Sequence, residues 1–277
     1  TAGTMFAIWL GELISEYGIR NQGLSLIIFS GIVSQIPQSF IRLMADEERR
    51  WFNLFFIVVI TSLIVFAIVV VQQGRRNIPV MYPGRRVGNR MSMPVKGTLP
   101  LMINMAGMIP LIFAQSLLTF PAIIASFFAT SQVEWLANLS RSIQRNFGGE
   151  TSLYYIMYFI MVVAFTFFYT DVLFSQQNYG ENLKKVGAQI PGVSRGAPTQ
   201  KYLMKVLRRI TLPGALFLGI VAILPYLISL IFGFGTQNPL LVSSAGLLIV
   251  VGVVRDLFFN IEAELKLHGY QDTLLVR

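Results

Sequence analysis

Apolar and polar positions alternate along this chain on the scale of whole segments, not of single residues. Thr1 to Leu10 is apolar but shorter than the about 20 residues a crossing needs. It reads as the exit end of a helix, and Gly11 to Gln22 as a polar loop carrying Glu12, Glu16 and Arg20. Complete apolar spans are predicted at 24–40, 52–71, 100–126, 152–174, 210–232 and 239–254. The first is rich in small residues (Ser25, Ser30, Gly31, Ser34), which let neighbouring backbones approach, so it should pack inside a bundle. The second opens on Trp51 and is otherwise uniformly apolar, a surface suited to lipid. Between spans, 72–99 contains a stretch, 78–95, that alternates apolar and polar residues among prolines and glycines and predicts a short hairpin, while 129–151 predicts a short surface helix around 133–143. The tail from Arg255 is amphipathic and should continue as helix.

The stretch Pro100 to Phe128 stands apart. It holds Asn104, Gln115 and Ser116 and is interrupted by Gly107, Pro110 and Pro121. A span facing only lipid has no use for such polarity, because each unpaired polar group in hydrocarbon costs energy. Something other than lipid should face part of it. At about 1.5 Å per residue it would run to roughly 40 Å against a core of about 30 Å, so a bend is expected at Pro110.

Composition settles the class. The 277 residues are 54% apolar and only 13% charged, where about 25% charged is usual for soluble domains. The expected fold is an all-α membrane protein, a polytopic helical bundle. Net charge is +9, but the cations sit in the connections, which fits topology better than a nucleic-acid surface. Of 22 Lys and Arg, 17 fall in one alternate set of connections, so the positive-inside rule puts 72–99, 175–209 and the C-terminus in the cytoplasm. There is no cysteine, and the single histidine, His268, lies in the polar tail, so thiolate, disulfide and His-centred chemistry are excluded and no metal site or cofactor is expected. Starting inside an apolar segment without an initiator Met, the chain reads as the later part of a longer protein.

Two signals carry function. The basic connections hold six cations without an acid (72–99) and seven more (175–209), more than orientation needs, and suggest folded protrusions that dock an acidic partner or a phosphate backbone. The plainer alternative is that they fix topology and touch anionic lipid. No span carries a charge at its centre: Asp171 lies near the cytoplasmic end of its helix and Asp256 just past the end of its own. That counts against ion-coupled pumps and voltage sensors. The groupings of an intramembrane protease are missing too, so an enzyme is not expected. Two classes stay open, a channel subunit powered by partners and half of a small-molecule secondary transporter with proline-broken helices.

The stretches GTMFAIWLGELISEYGIRNQGLSLIIFSGIV, QQGRRNIPVMY, INMAGMIPLIFAQSLLTFPAIIAS, FFYTDVLF, ENLKKVGAQIPGV, TQKYL and GLLIVVGVVRD closely resemble, in order, the C-terminal part of the bacterial SecY family, channel subunits of the Sec protein translocase. The resemblance implies a clamshell channel of ten helices, of which this chain holds the end of the fourth and helices five to ten. It implies secretion of unfolded polypeptides across the plasma (inner) membrane and lateral insertion of membrane proteins into it, without catalysis or cofactor. It implies a pore ring at Ile28, Ile32, Ile112 and Ile249. The implied lateral gate uses helices 100–126 and 152–174, with Asn104, Ser116 and Phe120 facing gate or pore. Partner docking falls on Arg75, Arg76, Lys184, Lys185 and Arg195. Implied partners are SecE and SecG, the SecA motor, the ribosome with its RNA and proteins, signal sequences and nascent polypeptides, and membrane lipid. One departure is visible: the family's PGIRPG is PGVSRG here, with Ser194 at the usual arginine position and Arg195 one residue later.

Overall fold

The computed structural model describes residues 1–19, 22–44, 50–83, 86–87, 90–91, 95–129, 133–149, 151–232 and 244–267. Among them are five helices long and apolar enough to cross a membrane. The chain divides into two units, Thr1–Val69 with Ile228–Arg277, and Val70–Leu227.

The first unit holds α1 (Ala2–Tyr17), α2 (Gly23–Val33), α3 (Ile36–Met44), most of α4 (Arg50–Gln73) and α10 (Ser244–Leu267). The expected loop 11–22 is corrected: α1 runs on through Gly11, Glu12 and Glu16 and stops only at Gly18, because the single Gly11 is tolerated inside a helix. α1 and α2 meet backbone to backbone. A side chain on Gly23 would strike the Gly11 carbonyl, and the Gly23 amide donates to Ser15 Oγ at 3.1 Å. This is the small-residue seam that helices use in lipid, where burial of apolar surface gives no drive. α2 also packs against α10. The expected span 24–40 is one candidate crossing, Gly23–Ile41, made of two helices, α2 and α3. The chain turns at Ser34–Gln35 because Pro37, in the first turn of α3, has no amide to continue the ladder.

The second unit carries β1 (Arg75–Tyr82), β2 (Arg86–Val87), β3 (Arg90–Met91), β4 (Val95–Met102), α5 (Ile109–Phe128), α6 (Glu134–Phe147), α7 (Ser152–Gln176), α8 (Tyr179–Lys185) and most of α9 (Ala197–Phe232). β1 pairs antiparallel with β4 from Arg75↔Met102 to Tyr82↔Val95, and β2 with β3. The expected hairpin is therefore present, but its strands run from 75 to 102, beyond the expected 78–95, and take Pro100–Met102 from the expected span 100–126. Helix α5 starts only at Ile109, with Pro110 in its first turn, so Pro110 begins the helix and does not bend it.

α9 begins thirteen residues before the expected 210, and at about 1.5 Å per residue its 36 residues extend about 54 Å. The second basic connection is thus partly a helical extension of a span. α7 and α9 are joined at both ends. Tyr155 and Tyr226 stack with centroids 4.2 Å apart, and Arg208 donates to Asp171 at 2.7 Å. Between them a side chain on Gly219 would meet the Phe159 ring at 2.6 Å. α10 continues well past the expected 254, closed by a Lys266–Glu262 pair one turn apart; the expected start of that span, 239–243, lies outside the described residues.

Candidate functional site

The residues of greatest interest fall in two places. The first is a folded head at one end of the second unit. Alternation along β1 turns Ile78 and Val80 inward, where they join Leu101 of β4, Phe174 of α7, Leu183 of α8, Ala188 and Ile190 of the following loop, and Leu203, Leu207 and Ile210 of α9. The loop closes on the hairpin as a third strand would. Met81 and Gln189 exchange two backbone hydrogen bonds at 2.8 Å. Gly187, at φ +71, brings its backbone against the Pro83 ring, a conformation that favours glycine. The two cationic connections, separate in sequence, are one body.

That body is held by polar groups the sequence reading passed over. Gln200 of α9 accepts from the Gly180 amide at 2.8 Å and donates to the Phe174 carbonyl at 3.4 Å, tying α7, α8 and α9 together. Thr199 donates to the Ser194 carbonyl at 2.7 Å and fixes the loop before α9. The signal was faint, since a single Gln or Thr in a basic connection marks nothing by its neighbours.

On this frame Arg75, Arg76, Lys184, Lys185 and Arg195 are all exposed. Arg195 sits between Gly192 and Gly196, both at positive φ, in a tight loop ahead of α9. A further cationic stripe on α9, at Lys201, Lys205, Arg208 and Arg209, lines a cavity of about 780 Å³ whose floor includes Met204. Only Arg208 of the four has a carboxylate partner among the described residues. The head can therefore offer clustered, exposed cations on a rigid base.

The second place is α5 and the turn before it. Asn104, expected within helix 100–126, lies outside any helix. Asn104 is buried in the turn ahead of α5, where its side-chain amide donates to the Gly107 carbonyl at 3.2 Å and its Oδ1 accepts from the Gly107 amide at 3.0 Å. Gly107, at φ +64, makes this possible. The turn is seated by contacts no sequence pattern announced. Ile103 donates its amide to the Gly74 carbonyl at 3.0 Å, and a side chain on Gly214 of α9 would come within 2.8 Å of the Ile103 carbonyl.

Along α5 itself Leu111, Ala114 and Leu118 face inward, while Ile112, Ser116 and Phe120, spaced four apart, form one exposed stripe. Ser116 satisfies its hydroxyl on the Ile112 carbonyl at 2.7 Å, so it needs no partner helix. Of the four ring candidates, Ile28 and Ile32 lie on α2 and Ile249 on α10 in the first unit, and Ile112 belongs to the second. Ile28 and Ile112 are 43% and 40% exposed, whereas Ile249 is buried.

Apolar crossing helices, a folded cationic head and an open stripe of mixed polarity on one span define a polytopic helical membrane protein built to face more than lipid. The SecY family profile matches residues 1–258. The chain is 36% identical over 276 residues to the protein translocase subunit SecY of Streptomyces galbus, covering 99% of this chain and 62% of that protein. It is 40% identical over 273 residues to the same subunit of Aquifex aeolicus, covering 98% and 61%. A solved structure, described as a SecY protein whose plug domain stabilises the closed state of the translocation channel, shares the fold with TM-score 0.57 at 18% identity, over 98% of this chain and 66% of that one. The chain belongs to the SecY family. It spans about three fifths of the length of these relatives.

Proposed function

We propose that the chain is part of a protein-conducting channel subunit that passes unfolded polypeptides across the plasma (inner) membrane and releases hydrophobic segments sideways into it. The observation that carries this reading is the family match running through nearly every span and both cationic segments. It favours the channel over the transporter alternative. In this reading the protein is no enzyme, since partners supply the driving force.

Ile28, Ile32, Ile112 and Ile249 contribute to an apolar waist, where water finds no hydrogen-bond partner and a narrow dry gap resists ions while yielding to a passing chain. Ser116 and Phe120 belong to the lateral gate. Their exposed stripe on α5 supports this, because it is free to meet a mobile neighbour or a substrate. Asn104 acts one step removed, by setting the turn from which α5 departs. The head, with Arg75, Arg76, Lys184, Lys185 and Arg195, docks the SecA motor or the ribosome on the cytoplasmic side, the same side as the C-terminus. SecE and SecG complete the membrane complex.

The test is a photoreactive side chain placed at Ile112 or Phe120 in the complete subunit, with a secretory chain stalled in transit. Crosslinks from both positions to the stalled chain are expected. Crosslinks to lipid alone would overturn the pore and gate assignments.

A further inference from the structure

α6 connects two spans, and its surface has three distinct sectors. Ala137 and Ser140 are buried, and α6 packs on α5, whose Ala125 is buried in its last turns. A second sector, Trp135 and Leu139 one turn apart with Val133 just ahead, is apolar yet open, Trp135 being 67% and Leu139 51% exposed. In the helix's second half Arg141 and Arg145, again one turn apart, are exposed with no carboxylate partner among the described residues. A helix standing in water would cover its open face with polar residues, whereas this one, beside exposed Glu134 and Asn138, leaves Trp135 and Leu139 bare.

What covers the open apolar sector is indicated by continuity. The end of α5 exposes Ile123, Ile124, Phe127 and Phe128, and α6 follows within a few residues. The lipid-facing surface of the span therefore leads directly onto Val133, Trp135 and Leu139. Tryptophan belongs at the headgroup level, and arginines one turn apart reach phosphates by extending their stems toward the polar side. At about 1.5 Å per residue the 14-residue helix is about 21 Å long, enough to lie across several headgroups but too short and too charged to cross.

We propose that α6 is a lipid-interface anchor on the face of the bilayer opposite the β1–β4 head, with Val133, Trp135 and Leu139 entering the acyl boundary and Arg141 and Arg145 holding phospholipid phosphates. Because α6 is packed on the last turns of α5, it fixes the end of the span that carries Ser116 and Phe120. Anionic lipid in that leaflet thereby steadies α5. The inference rests on α5 and α7 crossing the membrane, and it does not require that the waist or gate assignments hold.

The test uses the protein reconstituted in vesicles, with Trp9→Phe, Trp51→Phe and any tryptophan outside these 277 residues likewise replaced, so that Trp135 is the single reporter; both replaced rings here are exposed. Phosphatidylcholine brominated near the headgroup end of the acyl chains should quench most of the Trp135 emission, and lipid brominated near the chain terminus much less. The emission should shift further to the blue when phosphatidylglycerol is added. Arg141→Gln with Arg145→Gln should abolish that added shift, as should high salt. Quenching by aqueous iodide with none by brominated lipid would overturn the proposal and place the ridge in a water-filled space. An equal response of parent and double variant to phosphatidylglycerol would overturn the role of the arginines.

Discussion

The head and the α1–α2 pair are both apolar assemblies, yet they are held in opposite ways. In the head, ten buried side chains from β1, β4, α7, α8, α9 and the intervening loop interlock around Phe174 and Leu203. In α2 no apolar side chain is fully buried, and the closest contact with α1 is made through Gly11, Gly23 and Ser15, with Leu24 and Ile27 lying over Gly11. The difference follows from the solvent. Water drives large side chains out of reach, so the head is stabilised by bulk, whereas lipid is as apolar as leucine and rewards only close approach and satisfied backbone. Removing volume should hurt the head, and adding volume should hurt the pair.

The largest effect is expected from Leu203→Ala. A fully buried leucine replaced in a packed core costs about 2 to 5 kcal/mol, and here the damage should stay local. Limited proteolysis should cut the hairpin tens of times faster while the span content by circular dichroism is kept. The mirror experiment is Gly23→Val, which sets a side chain against the Gly11 carbonyl; overpacking typically costs about 1 to 3 kcal/mol. A cysteine pair across the α1–α2 seam should lose its crosslink in this variant, whereas Gly31→Val, also on α2 but where a side chain meets nothing within 4 Å, should leave it intact. If Gly31→Val were the more damaging, the close-approach seam would be the wrong explanation.

Next comes Asn104→Leu. It removes two hydrogen bonds that close the turn before α5, each worth about 1 kcal/mol net, and strands the Gly107 amide. Hydrogen exchange should rise at 103–108 with little change in the middle of α5. A change centred on α5 or α7 instead would restore the reading of Asn104 as a contact between helices. The smallest effect is expected from Arg208→Gln. Its pair with Asp171 is largely exposed, so solvent screens most of the attraction and the pair contributes little. Thermal unfolding should shift by a degree or so, and the shift should vanish in high salt.

Five of the six expected spans, the hairpin and the surface helix α6 were legible because each rests on a pattern of many residues: long apolar runs, alternation between prolines and glycines, and a polar stretch between two apolar runs. Boundaries failed where a single residue decided. Pro110 opens α5 although a proline inside an apolar run suggests a bend, and Pro37 splits one span into α2 and α3. The basic half of α9 was hidden because charged residues in a continuing helix look like a loop. Asn104 was picked out as unusual, but its role depends on Gly107 three residues on and on Gly74 and Gly214, far away in the chain. The fusion of the two cationic segments rests on Met81 meeting Gln189, which no local pattern encodes.

That fusion is the centre of the account, and charge reversal tests it most directly. In a complete subunit, Arg75→Glu with Arg76→Glu, and separately Lys184→Glu with Lys185→Glu, are compared for cosedimentation with ribosomes and for binding of the SecA motor over a range of salt. If both segments present one docking face, each pair should weaken binding to the same partner, each should flatten the salt dependence, and the fourfold variant should fall short of the sum of the two. Unchanged affinity for both partners, or strictly additive losses with an unaltered salt slope, would contradict it.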